Sequence, residues 1–83
     1  IIGEELLNGA NEDVNGPLIN YFLLNQGCRS KVMQTCSDEI DDIIDSLNRF
    51  PDDIKVIITS GGLGKTRDDC TMQAISKWSG QDL

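Results

Sequence analysis

Histidine is absent from this chain, and cysteine occurs only three times, as Cys28, Cys36 and Cys70. Three is an odd number at wide spacing with no C-x-x-C pair, so neither a disulfide framework nor a zinc-ligand pattern is present. Each thiol reads as a small apolar residue in a protein of a reducing compartment, the cytoplasm. Cys70, beside a pair of aspartates, is the one thiol worth testing for reactivity. Basic side chains are scarce too: 7 Lys and Arg stand against 14 Asp and Glu, for a net charge of −7. No basic stripe is available to neutralise phosphates, which excludes a sequence-independent grip on nucleic acid. No apolar run approaches the roughly 20 residues of a membrane-spanning helix, and no charged stretch followed by an apolar one opens the chain. The expectation is a soluble protein with no membrane partner.

A chain of 83 residues is one domain at most, and at that size it buries only about 60% of its unfolded surface. Ile1-Ile2-Gly3 reads as the last part of a strand whose beginning is absent, and the chain as a fragment. Leu18, Ile19, Phe22 and Leu23 recur at helical spacing after Pro17, with Gly27 as a stop, predicting a helix over residues 16–26. Residues 28–36 alternate in part and predict a strand. Ser37 and Asp38 offer caps for a helix that carries Ile40, Ile43, Ile44, Leu47 and Phe50 on one face. Asp41, Asp42 and Asp45 form its solvated face. Pro51 and Asp52-Asp53 end that helix, and residues 54–59, with a continuous β-branched run at Val56, Ile57 and Ile58, predict a strand covered on both faces. Met72, Ile75 and Trp78 make the apolar stripe of a last helix that stops at Gly80. On that spacing Trp78 belongs to the core.

This order of alternating strands and helices predicts an α/β fold: a parallel sheet with helices on both faces and ligand sites at the carboxyl ends of the strands. The loops at that rim bring Glu4, Asp13, Asn15, Asp38, Asp68 and Asp69 into one neighbourhood. Glu4 and Glu5 have a second role open to them, capping a helical turn through Leu6 and Leu7. An incomplete sheet leaves an edge that another copy can cover, so a homo-oligomer is expected.

The richest stretch is Ser60-Gly61-Gly62-Leu63-Gly64-Lys65-Thr66-Arg67-Asp68-Asp69-Cys70-Thr71. Three glycines in four positions let backbone N–H groups approach a phosphate where a strand turns. The loop is no P-loop, because the glycine required five positions before Gly64 is missing. Nor is it a dinucleotide fingerprint, because Gly61 and Gly62 are adjacent and no glycine lies three residues beyond Gly64. Two readings remain open from these residues: a phosphate cradle edged by carboxylates, or a turn whose Asp68-Asp69 pair caps the next helix. In the first, clustered carboxylates repel one another and are relieved by a divalent cation on oxygen ligands. With that cation on a pyrophosphate, one carboxylate can orient water for hydrolysis, or the cradle can serve nucleotidyl transfer.

Three motifs, Ile2-Gly3-Glu4-Glu5-Leu6-Leu7-Asn8-Gly9, then Asp13-Val14-Asn15, then Gly61-Gly62-Leu63-Gly64-Lys65-Thr66-Arg67-Asp68-Asp69-Cys70-Thr71, resemble those of the competence-damage-inducible protein A family. They occur in that family's order through the whole chain. The resemblance implies a molybdopterin-binding-like domain with a three-layer α/β/α fold and a mostly parallel sheet, of which residues 1–83 are the N-terminal half. It implies metal-dependent hydrolysis of the pyrophosphate of a nucleotide such as ADP-ribose or FAD, with Mg²⁺, Mn²⁺ or Co²⁺. The alternatives it carries are a non-catalytic molybdopterin- or nucleotide-binding module, and molybdopterin adenylyl transfer. By the same resemblance Asp38 and Asp69 are catalytic, and Asp38, Asp68 and Asp69 hold the metal. Gly3, Glu4, Asp13, Asn15, Gly61, Gly62, Leu63, Gly64, Lys65, Thr66 and Thr71 contact the ligand. Three positions depart from the family pattern: Glu4 for Asp, Val14 for Thr, and Lys65 for Pro. Val14 deletes a hydroxyl, and Lys65 removes a φ restraint while adding a cation near any phosphate.

Overall fold

The computed structural model describes residues 1–64 and 70–81. The described residues contain four helices: α1 (Glu4–Leu7), α2 (Asn15–Asn25), α3 (Ile40–Asn48) and α4 (Thr71–Ser79). The expected helical turn at Leu6 and Leu7 is α1, with Glu4 and Glu5 in its first turn. α2 begins one residue earlier than predicted and ends in a turn in which Gly27, at φ +77°, and Cys28 donate their N–H groups to Leu24 and Leu23. That use of a positive-φ glycine satisfies carbonyls that the helix end leaves open.

α3 follows its periodicity. Ile43 and Leu47 are buried, Ile40 and Ile44 pack beside them, and Asp41, Asp42 and Asp45 face solvent. Asp41 and Asp42 also sit in the first turn, where negative charge is favoured by the helix dipole. The N-cap position is Glu39, without a side-chain cap, and not Ser37 or Asp38. The Ser37 hydroxyl instead accepts from the Glu39 N–H at 3.2 Å and donates to Asp42 Oδ2 at 2.5 Å.

α4 stops at Gly80, φ +73°, as predicted. Its inward stripe differs from the expected one: Thr71 and Ala74 are fully buried with Ile75 beside them, and Met72 is half exposed. Trp78 is a second correction, since it lies 41% exposed and donates its indole N–H to Asn48 Oδ1 at 2.9 Å, tying α4 to the end of α3. An indole has a polar edge, and here that edge sets its place at the surface. Cys28 is exposed, against the interior role expected of it.

No strand is assigned among the described residues. Residues 28–36 and 54–59, both expected as strands, contribute one parallel bridge between Ile2 and Cys36. Hydrogen bonds surround it. Ile1–Gly3 lies between the two segments: Cys36 donates to Ile1, Gly3 donates to Cys36, and Ile2 donates to Ser60, at 2.8–3.0 Å. Through these bonds Ile1–Gly3 partners the carboxyl ends of both flanking segments. Further back the segments border an apolar cavity of about 420 Å³, closed at one end by Ile1 and on one side by Ile19 and Leu23 of α2. Val56 and Ile58, expected to be covered on both faces, are 76% and 50% exposed.

Alternation along Ile1-Ile2 separates two layers. Ile2 joins Ile43, Leu47 and Ala74 in the buried core, while Ile1 faces the α2 cavity. The ends that converge near Gly3, Cys36 and Ser60 are the rim from which the loops depart.

Candidate functional site

An open cleft of about 630 Å³ lies at this rim, between the loop after Ile2 and the start of the glycine loop. Glu5, Glu12, Asp13, Asn15, Ser60 and Gly61 line it. Of the residues predicted for a ligand, Asp13, Asn15 and Gly61 therefore share one cavity although they lie up to 48 positions apart. Glu4 does not line it; the neighbouring Glu5 does, because the two point from different sides of the α1 turn.

Each loop is held by its own side chains. Asp13 Oδ1 accepts the Gly16 N–H at 3.0 Å, closing the first turn of α2. Gly16 allows this approach, since a Cβ there would run into that carboxylate and come within 2.9 Å of the Met33 sulfur. Asn15 Nδ2 donates to Ser60 Oγ at 3.1 Å, joining the first loop to the glycine loop. Ser60 was not among the predicted residues; its only sequence signal is its place immediately before Gly61.

The glycine loop turns through two positive-φ residues, Gly61 at +105° and Gly62 at +67°. A Cβ on Gly61 would meet the Ile2 carbonyl oxygen, and one on Gly62 would meet Thr71 Oγ1. Thr71 is fully buried; its hydroxyl donates to the Gly61 carbonyl at 2.8 Å and its N–H to the Gly62 carbonyl at 3.1 Å. Thr71 thus shapes the loop from beneath. Gly3 is buried as well, pinned by its bond to Cys36, whereas Leu63 and Gly64 are exposed.

Asp38 is half buried at the start of the α3 loop, and its carboxylate makes no hydrogen bond or ion pair among the described residues. Its backbone carbonyl accepts the Cys70 thiol at 2.6 Å, which fastens this loop to the residue that follows Asp69. The expectations for Lys65, Thr66, Asp68 and Asp69 lie outside the described residues. Among the described residues no three acidic or thiol side chains gather to hold a metal ion. Burial pushes the Cys36 thiol above its usual range, helped by Asp42 and opposed by the Ile1 ammonium, Ser46 and Arg49. Cys36 is accordingly a neutral core thiol behind the rim.

The combination defines a class: an α/β domain with a glycine-turn cleft at the carboxyl ends of its extended segments. The whole chain, residues 1–83, matches the family described as a probable molybdopterin binding domain, and the chain belongs to that family. It is 42% identical over 86 residues to Protein PF0476 of Pyrococcus furiosus, covering 99% of this chain and 33% of that protein. It is 38% identical over 84 residues to a CinA-like protein of Mycolicibacterium gilvum, covering all of this chain and 20% of that one. The crystal structure of the protein CinA, of unknown function, from Thermoplasma acidophilum superimposes with a TM-score of 0.90 at 32% identity, over 99% of this chain and 48% of that chain. These matches show the resemblance read from the motifs and an α/β fold. The chain spans a fifth to a third of the relatives' length. No helix of the described residues is long and apolar enough to cross a membrane.

Proposed function

We propose that the rim cleft binds a pyrophosphate-bearing small molecule, a nucleotide or pterin, and that the protein carrying this domain hydrolyses a nucleotide pyrophosphate with a divalent metal. The observation that carries the binding half is the Asn15–Ser60 hydrogen bond, which supports one cavity shared by the Asp13-Val14-Asn15 motif and the glycine turn. In this reading the N–H groups around Gly61 and Gly62 approach phosphate oxygens, and Asn15 and Ser60 orient the ligand at the cleft wall. The same reading takes the fold as a three-layer α/β/α domain with a mostly parallel sheet, supported by Ile1 and Ile2 facing opposite layers.

Support for the hydrolytic half comes from Asp38. Its carboxylate neither caps α3 nor pairs with a base among the described residues, and its donor chemistry suits a hard cation. Asp38, Asp68 and Asp69 would hold the ion, which when bound supplies charge neutralisation on the pyrophosphate. Asp38 or Asp69 orients the attacking water and accepts its proton.

The test is incubation of the protein carrying this domain with ADP-ribose or FAD and Mg²⁺, Mn²⁺ or Co²⁺, followed by AMP release. Turnover that falls at least 100-fold in Asp38→Asn and Asp69→Asn, with ligand binding retained, supports the reading. No AMP with any of these metals, or full activity in both variants, overturns it. A second reading, a binding module without turnover, is favoured by Val14, which borders the cleft with an exposed methyl pair where the family motif carries a hydroxyl. Binding of a pterin or nucleotide by calorimetry without AMP release would select it.

A further inference from the structure

Cys70 and Thr71 are neighbours in sequence that fasten two different loops. The Thr71 hydroxyl and N–H hold the Gly61 and Gly62 carbonyls. The Cys70 thiol donates instead to the Asp38 carbonyl, 32 positions earlier. Cys70 is itself well anchored: it packs against the core, and its own carbonyl accepts the Ala74 N–H at 3.0 Å as α4 begins. Asp38 is thereby tied, through one dipeptide, to the turn that lines the rim cleft.

The thiol bond falls on a peptide group that is also held at its other edge. The Asp38 carbonyl and the Glu39 N–H belong to one planar unit. Its N–H donates to the Ser37 hydroxyl at 3.2 Å, and its carbonyl accepts the thiol. Two residues earlier Cys36 is paired on both sides, donating to the Ile1 carbonyl and accepting the Gly3 N–H. With the backbone fixed before and after Asp38, the carboxylate keeps only its side-chain torsions. The Ser37 bond is local and travels with its loop, whereas the thiol bond ties that loop to α4. Packing alone does not call for a thiol here, since a valine offers similar bulk with no polar atom. What the cysteine adds is a weak, directed S–H donor, spent on the backbone of the residue whose carboxylate the hydrolytic reading uses.

We propose that Cys70 is a positioning residue for Asp38: through the Asp38 carbonyl its thiol holds that carboxylate in place relative to the glycine turn. This role rests on the reading of the cleft as a metal-dependent pyrophosphatase. Calorimetric titration of Mn²⁺ into the protein carrying this domain tests it, with hydrogen exchange at the Glu39 amide as a measure that needs no metal. Cys70→Val keeps the bulk and removes the donor. It is expected to weaken Mn²⁺ binding about tenfold and to lower kcat for AMP release by about the same factor, with KM for ADP-ribose within about twofold of native. Exchange at Glu39 should quicken. Cys70→Ser, which keeps a donor, should restore all three. In an Asp38→Asn background, adding Cys70→Val should cost no further Mn²⁺ affinity, because the thiol acts through that carboxylate; a purely structural thiol would add its own loss. Should Cys70→Val fail to fold, Cys70→Ala removes the same donor without adding volume. Mn²⁺ affinity and Glu39 exchange that ignore Cys70, a serine no better than the valine, or additive losses with Asp38→Asn overturn this role alone. An unmodified protein that neither binds Mn²⁺ nor releases AMP overturns the reading of the cleft, and the role with it.

Discussion

Asn15 donates its side-chain amide to the Ser60 hydroxyl at 3.1 Å, and Ser60 in turn accepts the Ile2 N–H on its carbonyl at 2.8 Å. One residue thereby couples the loop after the first extended segment to the glycine turn after the last. The side-chain bond is exposed, so water competes with it, and its contribution to stability is about 0.5–1 kcal/mol. Its larger effect falls on the cleft.

Asn15→Ala and Ser60→Ala are each expected to lower the free energy of unfolding by less than about 1 kcal/mol while weakening ligand affinity about tenfold. The two effects should not add, because each variant removes the same bond. Calorimetric titration of a nucleotide or pterin into the single and double variants checks this; additive losses would mean the residues act separately on the ligand.

Gly61→Ala is expected to be far more damaging. It forces an L side chain to φ +105° and drives its Cβ into the Ile2 carbonyl oxygen, a backbone atom whose peptide plane is held by the Gly3 N–H bond to Cys36. Gly9 supplies the control, at φ +80° with nothing within 4 Å of the added carbon. Gly9→Ala should cost about 1 kcal/mol, the backbone penalty alone, and Gly61→Ala at least about 3 kcal/mol. Urea unfolding of the two variants against the native chain measures the difference.

Thr71→Val tests the same turn from below. The swap keeps the shape and removes the hydroxyl that donates to the Gly61 carbonyl inside a fully buried site. The expected loss is about 1 kcal/mol, because a part-buried acceptor loses this donor. Thr71→Ser, which keeps the donor, should recover most of it.

How much of this was legible from residues alone depended on range. The periodicity of Ile40, Ile43, Ile44 and Leu47 predicted α3 because a helix satisfies its backbone locally and needs only one covered face. The glycine turn was legible because positive φ narrows the residue choice. Residues 28–36 and 54–59 were less legible because a strand is defined by its neighbour, and among the described residues their pairing amounts to one bridge, between Ile2 and Cys36. Trp78 was misplaced because its hydrogen bond to Asn48 spans 30 positions. At the cleft, Asp13, Asn15 and Gly61 were recognisable by motif, while Glu5 and Ser60 were not, since their membership follows from how two loops meet in space.

The cysteines give the last prediction, in which burial sets opposite fates for two thiols. Cys28 is exposed, whereas Cys36 packs against the core and burial holds its thiol above the usual range. A thiol whose pKa is raised by folding binds its proton more tightly in the native state, so its stabilising effect is whole below the unfolded value and is lost as pH rises towards the folded one. Stability should therefore be insensitive to Cys36 at pH 7 and decline above about pH 9. Cys36→Ala should flatten that alkaline decline, even though the cavity it leaves lowers stability at every pH. Thermal melts of the native chain and of Cys36→Ala at stepped pH separate the two effects. Alkylation of the native chain should label Cys28 first, with Cys36 reacting only as the domain opens; equal rates would mean the thiol behind the rim is not enclosed.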